Sequence, residues 1–176
     1  MRRLVAISAS LAALLTAAPA HAGPVTHGTI VVGRGAAGAR LDMTRTQVIA
    51  KLGAPEDENG NGVLSYEPDS ANRIFDVYRH LAPPKHVRMF IIAGFHGQSF
   101  KLADGNAIFA RRSIARLYKH YGTRVRRAHD DTGDRWYFIK SRYHHRPVET
   151  QFHVDRFSRK KARVLDVFIL FTDTGP

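Results

Sequence analysis

The chain has 176 residues, 27 Lys and Arg against 15 Asp and Glu, a formal net charge of +12 and no cysteine. Without cysteine there is no disulfide, no thiol nucleophile and no lipid-bearing cysteine, so the fold must rest on its own core. A domain of this size can do so, because it buries about 70% of its unfolded surface.

Residues 1–22 read as an export signal. Arg2 and Arg3 form a basic start, Leu4 to Leu15 are mostly apolar, and Ala20-His21-Ala22 fits an A-x-A cleavage site. The expectation is cleavage between Ala22 and Gly23 and a soluble secreted or periplasmic product. The longest later apolar run, Val164 to Phe171, contains Asp166 and is short of the roughly 20 residues a membrane helix needs.

Gly23 to Gly28 reads as a loose leader. Gly33-Arg34-Gly35-Ala36-Ala37-Gly38 matches G-x-G-x-x-G after the apolar Ile30-Val31-Val32, and Glu56-Asp57-Glu58 follows about 20 residues on. A dinucleotide site would also need a helix running on from that loop and further βαβ units, and neither follows. The segment is expected to be a glycine-rich entry loop into a first helix pair, with no cofactor.

The next segment is a short helix. Thr44 and Gln47 fit a capping box, Val48, Ile49 and Leu52 recur with helical period, and Gly53 and Pro55 stop it. The period then changes to two. Val63 to Glu67, Arg73 to His80 and Val87 to Ala93 read as strands separated by turn residues. Asp57-x-Asn59-x-Asn61-Gly62 fits the start of a calcium loop, but Pro68 stands where the bidentate acid is required. A hairpin turn is the expected structure.

A second copy of the helix begins at Ser113 and ends at Gly122, 69 residues after Gly53. Ser113 stands in for Thr44 as the capping hydroxyl, and Ile114, Leu117, Tyr118 and Tyr121 form the apolar face. Strands are expected at Thr123 to Ala128, Arg135 to Ser141, Val148 to Phe157 and Arg163 to Thr172. Val87 to Ala93 and Arg163 to Thr172 are the most apolar, as central strands with both faces covered would be. The fold class is therefore α+β. Two tandem units, residues 23–98 and 99–176, each place helices on a three- to four-stranded antiparallel sheet.

Gly38-Ala39-Arg40-Leu41-Asp42-Met43-Thr44-Arg45-Thr46-Gln47-Val48, followed by Leu52-Gly53-Ala54-Pro55, resembles the signature of the SmpA/OmlA (BamE-like) envelope proteins. Asp42 stands where that family usually has glycine. The tandem arrangement is similar to the beta-lactamase inhibitor protein family. The resemblance implies a short helix pair before each sheet and a habit of binding proteins through the sheet. It stops short of either family's partner, since the lipid-anchoring cysteine of the first and the disulfides of the second are absent.

The charge is concentrated in one half. Residues 23–98 carry 8 bases and 7 acids, whereas residues 99–176 carry 17 bases and 8 acids. Such a field attracts acidic proteins or anionic envelope polymers, without implying a specific nucleic acid. No metal-ligand spacing occurs among the histidines, and His144-His145, in a strand, would point to opposite faces. No nucleophile motif or carboxylate pair marks an enzyme. The expected partner surface is an aromatic, arginine-edged sheet face built from Trp136, Phe138, Tyr143, Arg124, Arg126 and Arg142, with Asp57 and Glu58 of the acidic turn contributing.

Overall fold

The computed structural model describes residues 25–66, 73–80, 85–94, 99–110 and 112–173. The expected signal lies outside the described residues, as do Glu67 and the Pro68-Asp69 and Pro83-Pro84 turns. In chain order the elements are β1 (His27–Val31), β2 (Gly35–Ala36), β3 (Ala39–Arg40), α1 (Arg45–Leu52), β4 (Asp57–Glu58), β5 (Val63–Ser65), β6 (Arg73–Arg79), β7 (Val87–Gly94) and β8 (Ser99–Leu102). They continue with α2 (Ser113–Tyr121), a 3-10 turn at Gly122–Arg124, β9 (Val125–His129), β10 (Arg135–Tyr143), β11 (Arg146–Val154) and β12 (Val164–Phe171). The architecture is α+β, mostly sheet.

Eight strands form one antiparallel sheet in the order β4-β5-β6-β7-β12-β11-β10-β9. In each half a helix precedes four consecutive strands. The last strand of each half meets the other at the centre, where Phe168 pairs with Ile91 and Ile169 with Phe90.

The helices form where the periodicity puts them. In α1 the Thr44 hydroxyl accepts from Gln47 N–H at 3.3 Å, and Thr44 N–H donates to the Gln47 side chain at 2.9 Å. Val48 and Leu52 are buried, and Gly53 closes the helix at φ 86°. Gly122 ends α2 with φ 55°. The second cap departs from expectation. Arg112, left-handed at φ 69°, is the N-cap and has no side-chain cap bond. Ser113 lies inside the helix, where its hydroxyl donates to the carbonyls of Ala110 and Ala107 instead of accepting from the helix.

The expected helix pairs are absent among the described residues; each half has a single helix. The residues before α1 form strands instead, because Gly33 at φ 73° and Gly38 at φ 88° turn the chain left-handed and cut it into hairpins. His27 and Gly28 belong to β1 and are not a loose leader. A second sheet results, in the order β3-β2-β1-β8, with β1 and β8 parallel. Thus the first strand after residue 98 pairs with the first half.

One core spans both halves. Val48 and Leu52 of α1, Ile114 and Leu117 of α2, Ile30 and Phe100 of the small sheet, and Val77, Phe90, Ile139, Phe152 and Ile169 of the large one belong to it. Gly33 N–H donates 2.8 Å to the buried Thr150 Oγ1, fixing the small sheet to the large one. The central strands are covered on this face only. On the other, Met89, Ile91, Phe168 and Leu170 are half-buried and do not pack against the core. No described helix is long and apolar enough to cross a membrane.

Candidate functional site

Strand alternation in β10 separates two kinds of aromatic residue. Tyr137 and Ile139 are buried in the core, while Trp136 and Phe138 are half-buried on the opposite face. From Phe138 one cross-strand row runs the width of the sheet. Arg126 of β9 pairs with Phe138, Phe138 with Gln151 of β11, Gln151 with Phe168 of β12, and Phe168 with Ile91 of β7. The row continues through Asp76 of β6 and Ser65 of β5 to Asp57 of β4. The open face is therefore basic at one edge, apolar in the middle and acidic at the other.

At the basic end a groove of about 340 Å3 is lined by Ala128, Asp130, Trp136, Phe138, Lys140 and Gln151, among others. Trp136 stacks on His153, and its indole N–H donates to Asp130 Oδ2 at 2.9 Å. The edge of Phe168 meets Trp136 at 5.4 Å between centroids. Lys140 reaches over the Phe138 ring at 5.7 Å and toward Glu149 at 3.4 Å. These contacts hold the aromatic rings in place without covering them.

Asp130 organises the β9–β10 turn. Its Oδ1 accepts from Thr132 Oγ1 at 2.7 Å and from Asp134 N–H at 2.8 Å. The hydrogen bonds from Thr132 and from Trp136 hold its carboxyl down to about 2. At the other end Asp76 accepts from the Ser65 hydroxyl at 2.8 Å, and burial pushes its carboxyl above the ordinary range.

The structure brings together four of the expected residues. Trp136, Phe138 and Arg126 share the open face with Arg142, which lies further along β10 opposite Pro147. Arg142 has no ion pair among the described residues. Arg124 lies just outside the strand, 5.8 Å over the Tyr121 ring.

Tyr143 does not belong to this set. It falls on the core side of β10 and packs near Phe171. Asp57 sits on the same row but at the far edge, seven strand spacings from Arg126, or roughly 34 Å at about 4.8 Å each. Glu58 is occupied by Arg45 at 2.7 Å and Arg79 at 2.6 Å.

Phe168, Ile91 and His153 are the surface residues that the sequence reading missed. The signal for Phe168 and Ile91 was the alternation within β12 and β7, which long apolar runs conceal, and for His153 the alternation within β11. His144 and His145 form the two-residue tip between β10 and β11, both left-handed at φ 49° and 65°, so they are a turn and not part of a strand.

The other motifs resolve locally. Asn59 Oδ1 accepts from Asn61 N–H at 3.0 Å and Val63 N–H at 3.2 Å, which makes the Asp57–Gly62 segment a hairpin turn. No group of three or more metal-ligating side chains occurs among the described residues. In the glycine motif a methyl on Gly33 would lie 2.1 Å from Ser141 Oγ, and one on Gly35 would lie 2.1 Å from the Ala39 carbonyl. The close approach these glycines permit is taken up by the protein itself. Family models, curated proteins and solved structures give no match to this chain.

Proposed function

We propose that the chain is an exported, non-enzymatic binding module that takes an acidic protein partner on the open face of its large sheet. One observation carries this reading: Trp136, Phe138, Phe168, Ile91 and Met89 stand apart from the core on a single sheet face, beside Arg126 and Arg142. Half-exposed Trp and Phe flanked by Arg are the residue types that anchor protein interfaces. The arginines would steer an acidic partner and fix its orientation.

The resemblance to the BamE-like proteins supports the same reading. Asp42, which occupies the position where that family usually has glycine, is left-handed at φ 69°, a conformation that glycine adopts freely and Asp tolerates. The mirrored order of the two four-strand sets is what two tandem units joined at their last strands would produce, and side-by-side units are the arrangement the resemblance to the beta-lactamase inhibitor protein family implies. Secretion, or release into the periplasm, follows from the signal at residues 1–22.

The test is capture of secreted and envelope proteins by the mature chain beside its Trp136→Ala and Arg142→Gln variants. A captured acidic protein lost with Trp136→Ala, and only modestly weakened between low and physiological salt, supports the reading. Capture that is indifferent to Trp136 and collapses steeply with salt would instead mean a charge-only, polyanion-binding protein.

A further inference from the structure

We infer that the second half carries a separate cleft for a phosphate monoester borne on a small apolar or aromatic stem. The cleft lies between α2, β9 and the connection from β11 to β12. Its volume is about 560 Å3, and Tyr118, Arg126, Arg127, Tyr137, Phe157, Ser158 and Arg159 are among the residues that line it. That volume lies within the range of about 300–1,000 Å3 typical of small-molecule sites.

The walls are aromatic. Tyr137 meets Tyr118 edge-on at 6.0 Å and Phe157 at 5.5 Å. The cations rest on these walls: the Arg159 guanidinium is 4.0 Å from the Tyr118 ring centre, and that of Arg127 is 5.6 Å from the Phe157 ring centre. A guanidinium held against a ring face keeps N–H groups free for an oxyanion. No acidic side chain lines the cleft. Neither Arg127 nor Arg159 has an ion-pair partner among the described residues.

The remaining polar groups are also donors. Ser158 Oγ accepts from Lys161 N–H at 3.0 Å, which leaves its own proton to give. Tyr137 is 2% exposed. Burial and the neighbouring Tyr118 push its phenol up, and Arg127 and Arg159 pull the other way, so both cations act on that one oxygen. Three guanidiniums, two phenols and a serine offer more donors than the two oxygens of a carboxylate can use. A phosphate monoester presents three terminal oxygens and up to two charges, which matches the set. The aromatic floor takes the stem.

The cleft opens on the face opposite Trp136, because Tyr137 and Trp136 are neighbours in β10 that point to opposite faces, and Arg126 on the edge strand is the one residue it shares with the proposed partner surface. Calorimetry with phenyl phosphate, benzoate and inorganic phosphate tests it at low salt. Phenyl phosphate should bind at least about tenfold more tightly than either of the other two, a difference a few good contacts supply. Arg159→Gln and Arg127→Gln should each weaken it at least about tenfold, while Arg142→Gln, on the other face, leaves it unchanged. Thermal melts confirm that each variant is folded.

Vesicles with and without phosphatidic acid form a second arm. Arg159-dependent binding in either arm supports the shared chemistry, and the arm that shows it names the source, soluble or lipid-borne. Equal affinity for phenyl and inorganic phosphate, equal losses in Arg142→Gln and Arg159→Gln, or no binding in either arm overturns the assignment.

Discussion

The indole of Trp136 lies nearly flat on the imidazole of His153, with ring centres 4.7 Å apart and planes 24° from parallel. Asp166 Oδ2 sits 2.8 Å from His153 Nδ1, so the histidine is held at its edge while the indole rests on its face. The only tryptophan of the chain is thus positioned by side chains of the open face and by the β9–β10 turn, with no part in the core.

Trp136→Ala should therefore cost only about 1–2 kcal/mol of folding free energy, the scale of a partly exposed aromatic. Phe152→Ala, fully buried in the neighbouring strand, should cost about 3–5 kcal/mol. Urea unfolding of the two variants side by side checks the contrast. Equal losses would place Trp136 in the core and remove the proposed partner surface.

Tryptophan fluorescence should report the protonation of Asp130. Its folded-state carboxyl lies at about 2, below its unfolded value, so its contribution is present above about pH 4 and is lost as pH falls through about 2. The indole loses its acceptor over that same window. An acid titration of emission should show a step centred near pH 2 that is absent in Asp130→Asn. Identical acid titrations of the wild type and Asp130→Asn would mean that the Trp136–Asp130 bond is not made.

Gly33→Ala should destabilise by about 2 kcal/mol or more, since it combines a left-handed residue with overpacking. The new methyl would meet Ser141 Oγ at 2.1 Å and Ser141 Cβ at 2.9 Å. Ser141→Gly in the same chain should recover the steric part and leave the backbone strain. A double-mutant cycle measures the coupling, and strict additivity of the two changes would contradict the contact.

The two helices should respond differently at their starts. Thr44→Ala removes a reciprocal cap and should cost about 1 kcal/mol. Arg112→Ala removes no cap bond and should stay within about 0.5 kcal/mol. Thermal melts of the two variants decide whether the caps are as unequal as the structure has them.

Much of the large sheet was legible in the sequence because its elements are long enough to show a period. The spacing places helices over 45–52 and 113–121, and both form there with glycine ends. The small sheet was not legible. Strands of two residues, such as Gly35–Ala36 and Ala39–Arg40, have no period, and Gly-rich composition argues against strand.

For the proposed partner surface, residue type pointed to Trp136, Phe138, Arg126 and Arg142, but the faces could be assigned only once the register of β10 was fixed. Tyr143, seven residues after Trp136, lands on the other side for that reason. The arginine–aromatic cleft escaped altogether. Tyr118, Arg127, Tyr137 and Arg159 come from four segments that only the fold brings together.

The mirrored strand order also governs when the molecule can be completed. β12 is the last described strand in sequence, yet it occupies the middle of the large sheet between β7 and β11. Until it arrives, both of those strands are raw edges, able to pair with another chain. A polypeptide emerging N-terminus first would hold two unfinished half-sheets until residues 164–171 slide between them. Assembly is then a late, all-or-none closure dominated by distant contacts, which is slow. Loss of this strand would leave two half-sheets with no seam to join them.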